Sequence, residues 1–158
     1  SFGSTRGPSG AIDGSFYIYV STTALSTPGT TAILESPCFD LRGFDKPHIR
    51  FLLHIWGGSS SGELRLEGTS NGAEWDTLYS RSTNQNNWVI ANVQLNRYKD
   101  QESVSVRFHA IIGTVATNII AIDRIELYND SSTPAPTLQP IQPTPIPSSL
   151  PTPAPTLQ

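Results

Sequence analysis

The sequence predicts an all-β chain: a jelly-roll-like antiparallel β-sandwich with an extended C-terminal tail of polyproline II type. Three observations carry this. Apolar and polar residues alternate in segment after segment, the period of a strand with one buried face. Gly, Pro and Asn turns separate the segments, and none has the 3.6-residue period of an amphipathic helix. Composition then changes abruptly across Asn129-Asp130-Ser131-Ser132: nine of the thirteen prolines lie in residues 132–158, where no residue is charged.

Taken in order, residues 16–20 (FYIYV) are aromatic and β-branched, side chains that suit a pleated surface. Residues 32–38 follow a Pro28-Gly29 turn. Residues 48–56 alternate, so Ile49, Phe51, Leu53 and Ile55 are expected inward and His48, Arg50, His54 and Trp56 outward. Over 63–67, Leu64 and Leu66 point in while Glu63, Arg65 and Glu67 point out. An Asn71-Gly72 turn precedes a short strand over 75–79. Residues 88–95 put Val89, Ala91, Val93 and Leu95 on one face. Residues 103–112 do the same with Val104, Val106, Phe108, Ala110 and Ile112, and 119–128 close the body. The predicted division is a sandwich over 1–130 and a Pro/Thr-rich linker or assembly arm over 131–158.

The bulk numbers exclude several partners. Net charge is −3, and the ten Lys and Arg are interspersed with thirteen acids, so there is no basic stripe for nucleic acid. No apolar run reaches the length of a membrane span. The chain starts at Ser1 without a basic-plus-apolar leader, which reads as a processed or excised product. The single cysteine, Cys38, reads as a buried apolar thiol, or as the partner of a segment outside this sequence.

Several strings occur together: GPSGAIDGSFYIYV, TTAILESPCFDL, HIRFLLHIWGGSSSGELRLE, NWVIANVQL, VSVRFHAIIG and IIAIDRIEL. In order and spacing they resemble the MAM domain family over residues 5–128. The resemblance implies an extracellular or cell-surface module for adhesion and assembly. It implies a further opening strand, for which only residues 1–3 stand ahead of the match, so an open sheet edge is expected. It also implies a structural calcium or sodium near an Ala-Ile-Asp-Asp-Ile motif. This chain has Ala121-Ile122-Asp123-Arg124-Ile125, which leaves Asp123 as the candidate metal residue and a structural calcium as an option rather than a requirement.

Asp123 also stands out physically. It alternates with Ala121, Ile125 and Leu127 and is expected on the apolar face, where a carboxylate needs a cation or several hydrogen bonds. No catalytic constellation is found, and the chain is not expected to be an enzyme. His48 and His54 make only two of the three or four ligands zinc takes and read as solvent-facing or stacked rings. Glu63 and Glu67 read as paired surface acids, not as glycosidase carboxylates facing across a cleft. Trp75 and Trp88 read as packing over core edges, which leaves Trp56 as the side chain to contact a sugar or a protein.

The tail favours polyproline II, reaching roughly 80 Å at about 3.1 Å per residue. Its Thr133, Thr137, Thr144, Thr152 and Thr156 are candidate O-glycosylation sites, and Asn129-Asp130-Ser131 is an N-glycosylation sequon. Leu138, Ile141 and Leu150 fall on a three-residue apolar stripe suited to docking on another copy. The leading expectation is a secreted or cell-surface structural module that assembles head to tail through this arm and the open edge. The alternative is a carbohydrate- or surface-binding module joined by a Pro/Thr stalk to a secreted enzyme.

Overall fold

Alternation becomes pleat wherever the sequence shows it. The computed structural model describes residues 7–21, 27–57, 62–114 and 118–131, which form eight strands and one short 3-10 turn. The strands are β1 (Ile18–Ser21), β2 (Thr31–Glu35), β3 (Pro47–Trp56), β4 (Gly62–Thr69), β5 (Asp76–Arg81), β6 (Gln85–Gln94), β7 (Ser105–Ile112) and β8 (Ile119–Asn129). They make two four-stranded antiparallel sheets. Sheet A has the order β1-β8-β3-β6, and sheet B the order β2-β7-β4-β5. The predicted jelly-roll-like sandwich is therefore what forms, with each predicted strand present and its ends shifted by a few residues.

The core lies between the sheets. Ile49, Phe51, Leu53 and Ile55 of β3 are buried against Leu64 and Leu66 of β4 and Val106, Phe108 and Ala110 of β7. Phe51 sits at the centre, edge-on to Phe108 at 4.9 Å and to Tyr79 at 5.7 Å. Each such side chain contributes about 1.5–3 kcal/mol by leaving water. Tyr98, in the turn Asn96–Tyr98, closes one end of the core. Its hydroxyl donates to the Gly68 carbonyl at 2.6 Å and lies 3.0 Å from Asp76 Oδ2.

A bulge in β8 changes the expected facing. Arg50 pairs with Glu126 but Leu52 pairs with Asp123, so β8 spends two residues where β3 spends one. Arg124 absorbs the extra residue at φ 48°. Ile120 and Ile122 face the core before the bulge, and Ile125 and Leu127 line the inter-sheet gap after it. Asp123 is thus not on the apolar face with Ile125 and Leu127. It lies with Ala121 on the outer face of sheet A.

That outer face is not bare. Residues 7–17 cross it as a strap. The backbone N–H groups of Ile12 and Asp13 donate to Asp123 Oδ2, Trp88 Nε1 donates to the Gly10 carbonyl, and Tyr17 packs edge-on to Trp88. Gly7 has φ 79°, and a Cβ there would meet Ile119 Cδ1 at 2.6 Å, so only glycine lets the strap lie this close. Beneath it His54 is buried, 5.6 Å from Trp88. His48 is buried and stacks on Tyr128 at 5.4 Å. Both histidines are ring-packed; neither faces solvent.

Candidate functional site

The side of the sandwich between β1 and β2 is open. β1 pairs only with Ile119–Ile122 of β8, and among the described residues no strand pairs with that edge over 123–129. All five residues of β2 are exposed. A cleft of about 330 Å³ follows, its lining mostly apolar (Leu34, Phe39, Ile49, Val106, Ile125 and Leu127) with Glu35 and Ser36 also on it. Leu34 and Phe108 continue it into a second cleft of about 200 Å³ between Ile18, Val20 and Ala32. Ile18 (53% exposed), Ile33 (52%), Leu34 (39%), Ile125 (43%) and Leu127 (38%) bring substantial apolar surface to water here. A strand edge with free backbone groups beside an apolar gap is a template for another extended segment.

A second surface lies at one end of sheet A. Trp56 ends β3, on the outer face, half-buried. Its indole makes no hydrogen bond or ring contact among the described residues. The next residue, Gly57, donates its N–H to Asn84 Oδ1, and Ile55 pairs with Gln85. Trp56 is therefore held next to the hairpin that carries Asn84, Asn86, Asn87 and Trp88. Under the strap a pocket of about 420 Å³ is lined by His54, Asn86, Asn87 and Trp88, with Pro8, Ser9 and Ile12 above and no charged side chain. Burial holds His54 below the usual histidine range, partly offset by a hydrogen bond with Asn86. The ring is neutral at physiological pH.

Asp123 is satisfied by backbone. Oδ2 accepts from Ile12 N at 2.7 Å and Asp13 N at 3.1 Å, and Oδ1 accepts from Arg124 N at 2.8 Å. Three N–H groups aimed at the two oxygens suit an anion, whereas calcium takes six to eight oxygen ligands. No group of three or more His, Cys, Asp or Glu that could hold a metal occurs among the described residues. The described surroundings of Asp123 do not fit a calcium site.

The outer face of sheet B carries an ion-pair network that sequence reading missed. Glu67 is buried, not a surface acid; it accepts from Arg107 Nε at 2.6 Å and lies 3.3 Å from His109 Nδ1. Burial pushes its pKa up, and these two hydrogen bonds more than offset that, leaving it below the usual carboxylate range. The Arg107 guanidinium lies 4.1 Å over the Trp75 ring, a cation–π contact. Glu63 is tied to Arg65 and Ser80. Trp75 and Trp88 thus sit on the outer faces of the two sheets, not over core edges. Only the pairing of β4 with β7, which sets Glu67 opposite Arg107, reveals the network.

Asn129 is half-buried, and its Oδ1 accepts from Lys46 N, leaving the amide nitrogen, the atom a glycan takes. Cys38 is exposed, not buried, with Sγ 3.2 Å from Ser105 Oγ. Thr133, Thr137, Thr144, Thr152 and Thr156, and the stripe residues Leu138, Ile141 and Leu150, lie outside the described residues.

The sheet order and packing define the class: a two-sheet antiparallel β-sandwich. It resembles the K1 cleaved adhesin domain of Lys-gingipain from Porphyromonas gingivalis W83 (TM-score 0.53, 15% identity, covering 72% of this chain and 74% of that one). It resembles the K3 cleaved adhesin domain of the same protein similarly (0.55, 14%, 71% and 72%). TmCBM61, solved in complex with β-1,4-galactotriose, is alike to the same degree (0.56, 11%, 76% and 74%). No curated protein matches. The family model described as MAM domain, meprin/A5/mu matches residues 3–132, and the chain belongs to the MAM domain family.

Proposed function

We propose that this MAM domain is an extracellular or cell-surface adhesion module that joins to other copies of itself through its open sheet edge, with residues 131–158 as the connecting arm. One observation carries the reading: Ile125 and Leu127 stand exposed along an edge of β8 that has no partner among the described residues, with Leu34 of β2 exposed across the same cleft. Natural sheets usually blunt such edges with charge, proline or a covering segment. Here most residues facing the gap are apolar, Glu35 and Ser36 being the exceptions, and residues 131–158 are uncharged and rich in proline. Contacts between unlike surfaces that do not close into a ring build filaments. Electron microscopy tests this on the intact chain and on a chain ending at Asp130. Filaments or strings that vanish on truncation are expected; discrete monomers in the intact sample refute the reading.

A second reading has its own observation. The pocket at His54, Asn86, Asn87 and Trp88 has no charged side chain among the described residues that line it, and the Trp56 indole, without a partner among the described residues, lies at the same end of the sheet. Neutral amides beside aromatic rings are the chemistry that holds an uncharged sugar. Two folds similar to this one bear on these readings only as analogies, one an adhesin domain and one seen with a galactotriose. If the glycan reading holds, a monomeric sample shows affinity on a glycan array and Trp56→Ala weakens it. An array without signal removes this alternative.

A further inference from the structure

We infer that Phe16 of one copy seats in the cleft between β1 and β2 of a second copy. This rests on the assembly reading and adds which side chain crosses between copies and where it is received.

The cleft suits a phenyl ring. It holds about 200 Å³ and runs from the exposed Ile18 and Ala32 down to the buried Leu64, Phe108 and Ile120. An apolar cavity of about 150 Å³ lined by aliphatic and aromatic side chains takes up benzene, so there is room for the ring. No charged side chain lies among the described residues that line the cleft, and the Tyr19 hydroxyl is their one polar side-chain group. A polar occupant would lose its water without gaining partners, so the chemistry asked for is apolar.

The chain carries one exposed side chain of that kind. Phe16 is 88% exposed. Apart from Tyr19, itself on the cleft, the other large apolar side chains exposed among the described residues are isoleucines and leucines. At that exposure Phe16 does not occupy the cleft of its own chain. It is also held in place from both sides. Ahead of it, Asp13 N is bonded to Asp123 Oδ2 and Gly14 turns the chain at φ 63°. After it, Tyr17 packs edge-on to Trp88 and donates its hydroxyl to the Pro8 carbonyl. An anchor fixed before binding has less freedom to lose. Rigid aromatic side chains entering apolar pockets carry most of the affinity of protein interfaces, and the contacts around them exclude water. Ile18 and Ile33, each about half exposed, stand at the cleft to form that surround. Plug and cleft are different surfaces, and every copy has one of each, so the contact passes on from copy to copy.

Sedimentation velocity on the full chain tests this with two variants. Phe16→Ser removes the plug, and Ala32→Trp blocks the cleft; both positions are exposed. Each variant alone should associate at least about thirtyfold more weakly than the parent. An equimolar mixture of the two should form 1:1 pairs and nothing longer, because one intact plug then meets one intact cleft. Melting temperatures that match the parent's report that both variants fold; if Ala32→Trp melts early, Phe16→Ser alone decides. Association undiminished by Phe16→Ser, or a mixture of folded variants that stays monomeric, overturns the inference and leaves the assembly reading standing. A parent that is monomeric throughout refutes both.

Discussion

Asp123→Ala should detach the strap, and its cost follows from three hydrogen bonds. The carboxylate accepts from the backbone N–H of Ile12, Asp13 and Arg124, and Asp123 is 7% exposed. Hydrogen bonds to a charged acceptor are worth about 1.5–3 kcal/mol each, and two of these three hold the strap. Water reaches the exposed Ile12 and Asp13 once the strap lifts, which returns part of that energy. A net loss of about 2–4 kcal/mol is expected. At this domain size each kcal/mol lowers the melting temperature by roughly 3 °C or more, so the midpoint should fall by at least about 6 °C. Asn is no rescue, because its NH₂ must face one of the N–H donors. Tryptophan emission gives the second readout. Trp88 loses its bond to Gly10 and its cover, so the emission should shift to the red. A variant that melts within about a degree of the parent, with unshifted emission, would refute the assignment of Asp123 as the strap's anchor.

The remaining expectations concern metal, pH and one buried hydroxyl. Chelation with EDTA should leave the parent's melting temperature unchanged, because Asp123 is already satisfied by amides; a fall on chelation would show that a metal site exists. Tyr98→Phe should cost about 1–2 kcal/mol in urea unfolding by leaving the Gly68 carbonyl without its donor. Burial and Asp76 push the Tyr98 pKa up to about 12, against about 10 unfolded. Its contribution is complete below pH 10 and is lost as pH rises toward 12, and the phenol absorbance should titrate late. Glu67 has the opposite sign. Its folded pKa is depressed, so its contribution is present above the unfolded value of about 4.3 and is lost as pH falls below that. Glu67→Gln should flatten that acid limb; a limb of unchanged steepness would show that other carboxylates set it.

The strands were legible because one face of each is wet and the other dry. Phe51 and Val106 announce themselves by the polar residues on either side. What the sequence hid depends on pairing between distant segments. Arg124 takes φ 48° without being glycine or asparagine, so nothing in the string IIAIDRIEL marks the bulge, and Asp123 was assigned the wrong face. The strap is irregular, and periodicity is silent about residues that cover a sheet without joining it. This is why His54 read as a surface residue. Glu67 looked like an ordinary outward acid, because Arg107 and His109 lie forty residues away or more. Trp56 was the readable part of its surface; the neutral amides beside it mean little until the hairpin sets them there.

The course of β8 also fixes how the domain would carry tension. The strap passes Ile119 at Gly7, near one end of the strand, while the chain leaves at Asn129, its other end. These points are about 33 Å apart for a strand of this length. A pull applied between the strap and the arm therefore runs along β8, and nine paired positions with β3 resist it in shear. Bonds loaded in parallel yield together, whereas those loaded at one end part singly, like a zip. A string of such domains would be stiff along its length, and the strap's bonds to Asp123 and Trp88 would give way before the sandwich does.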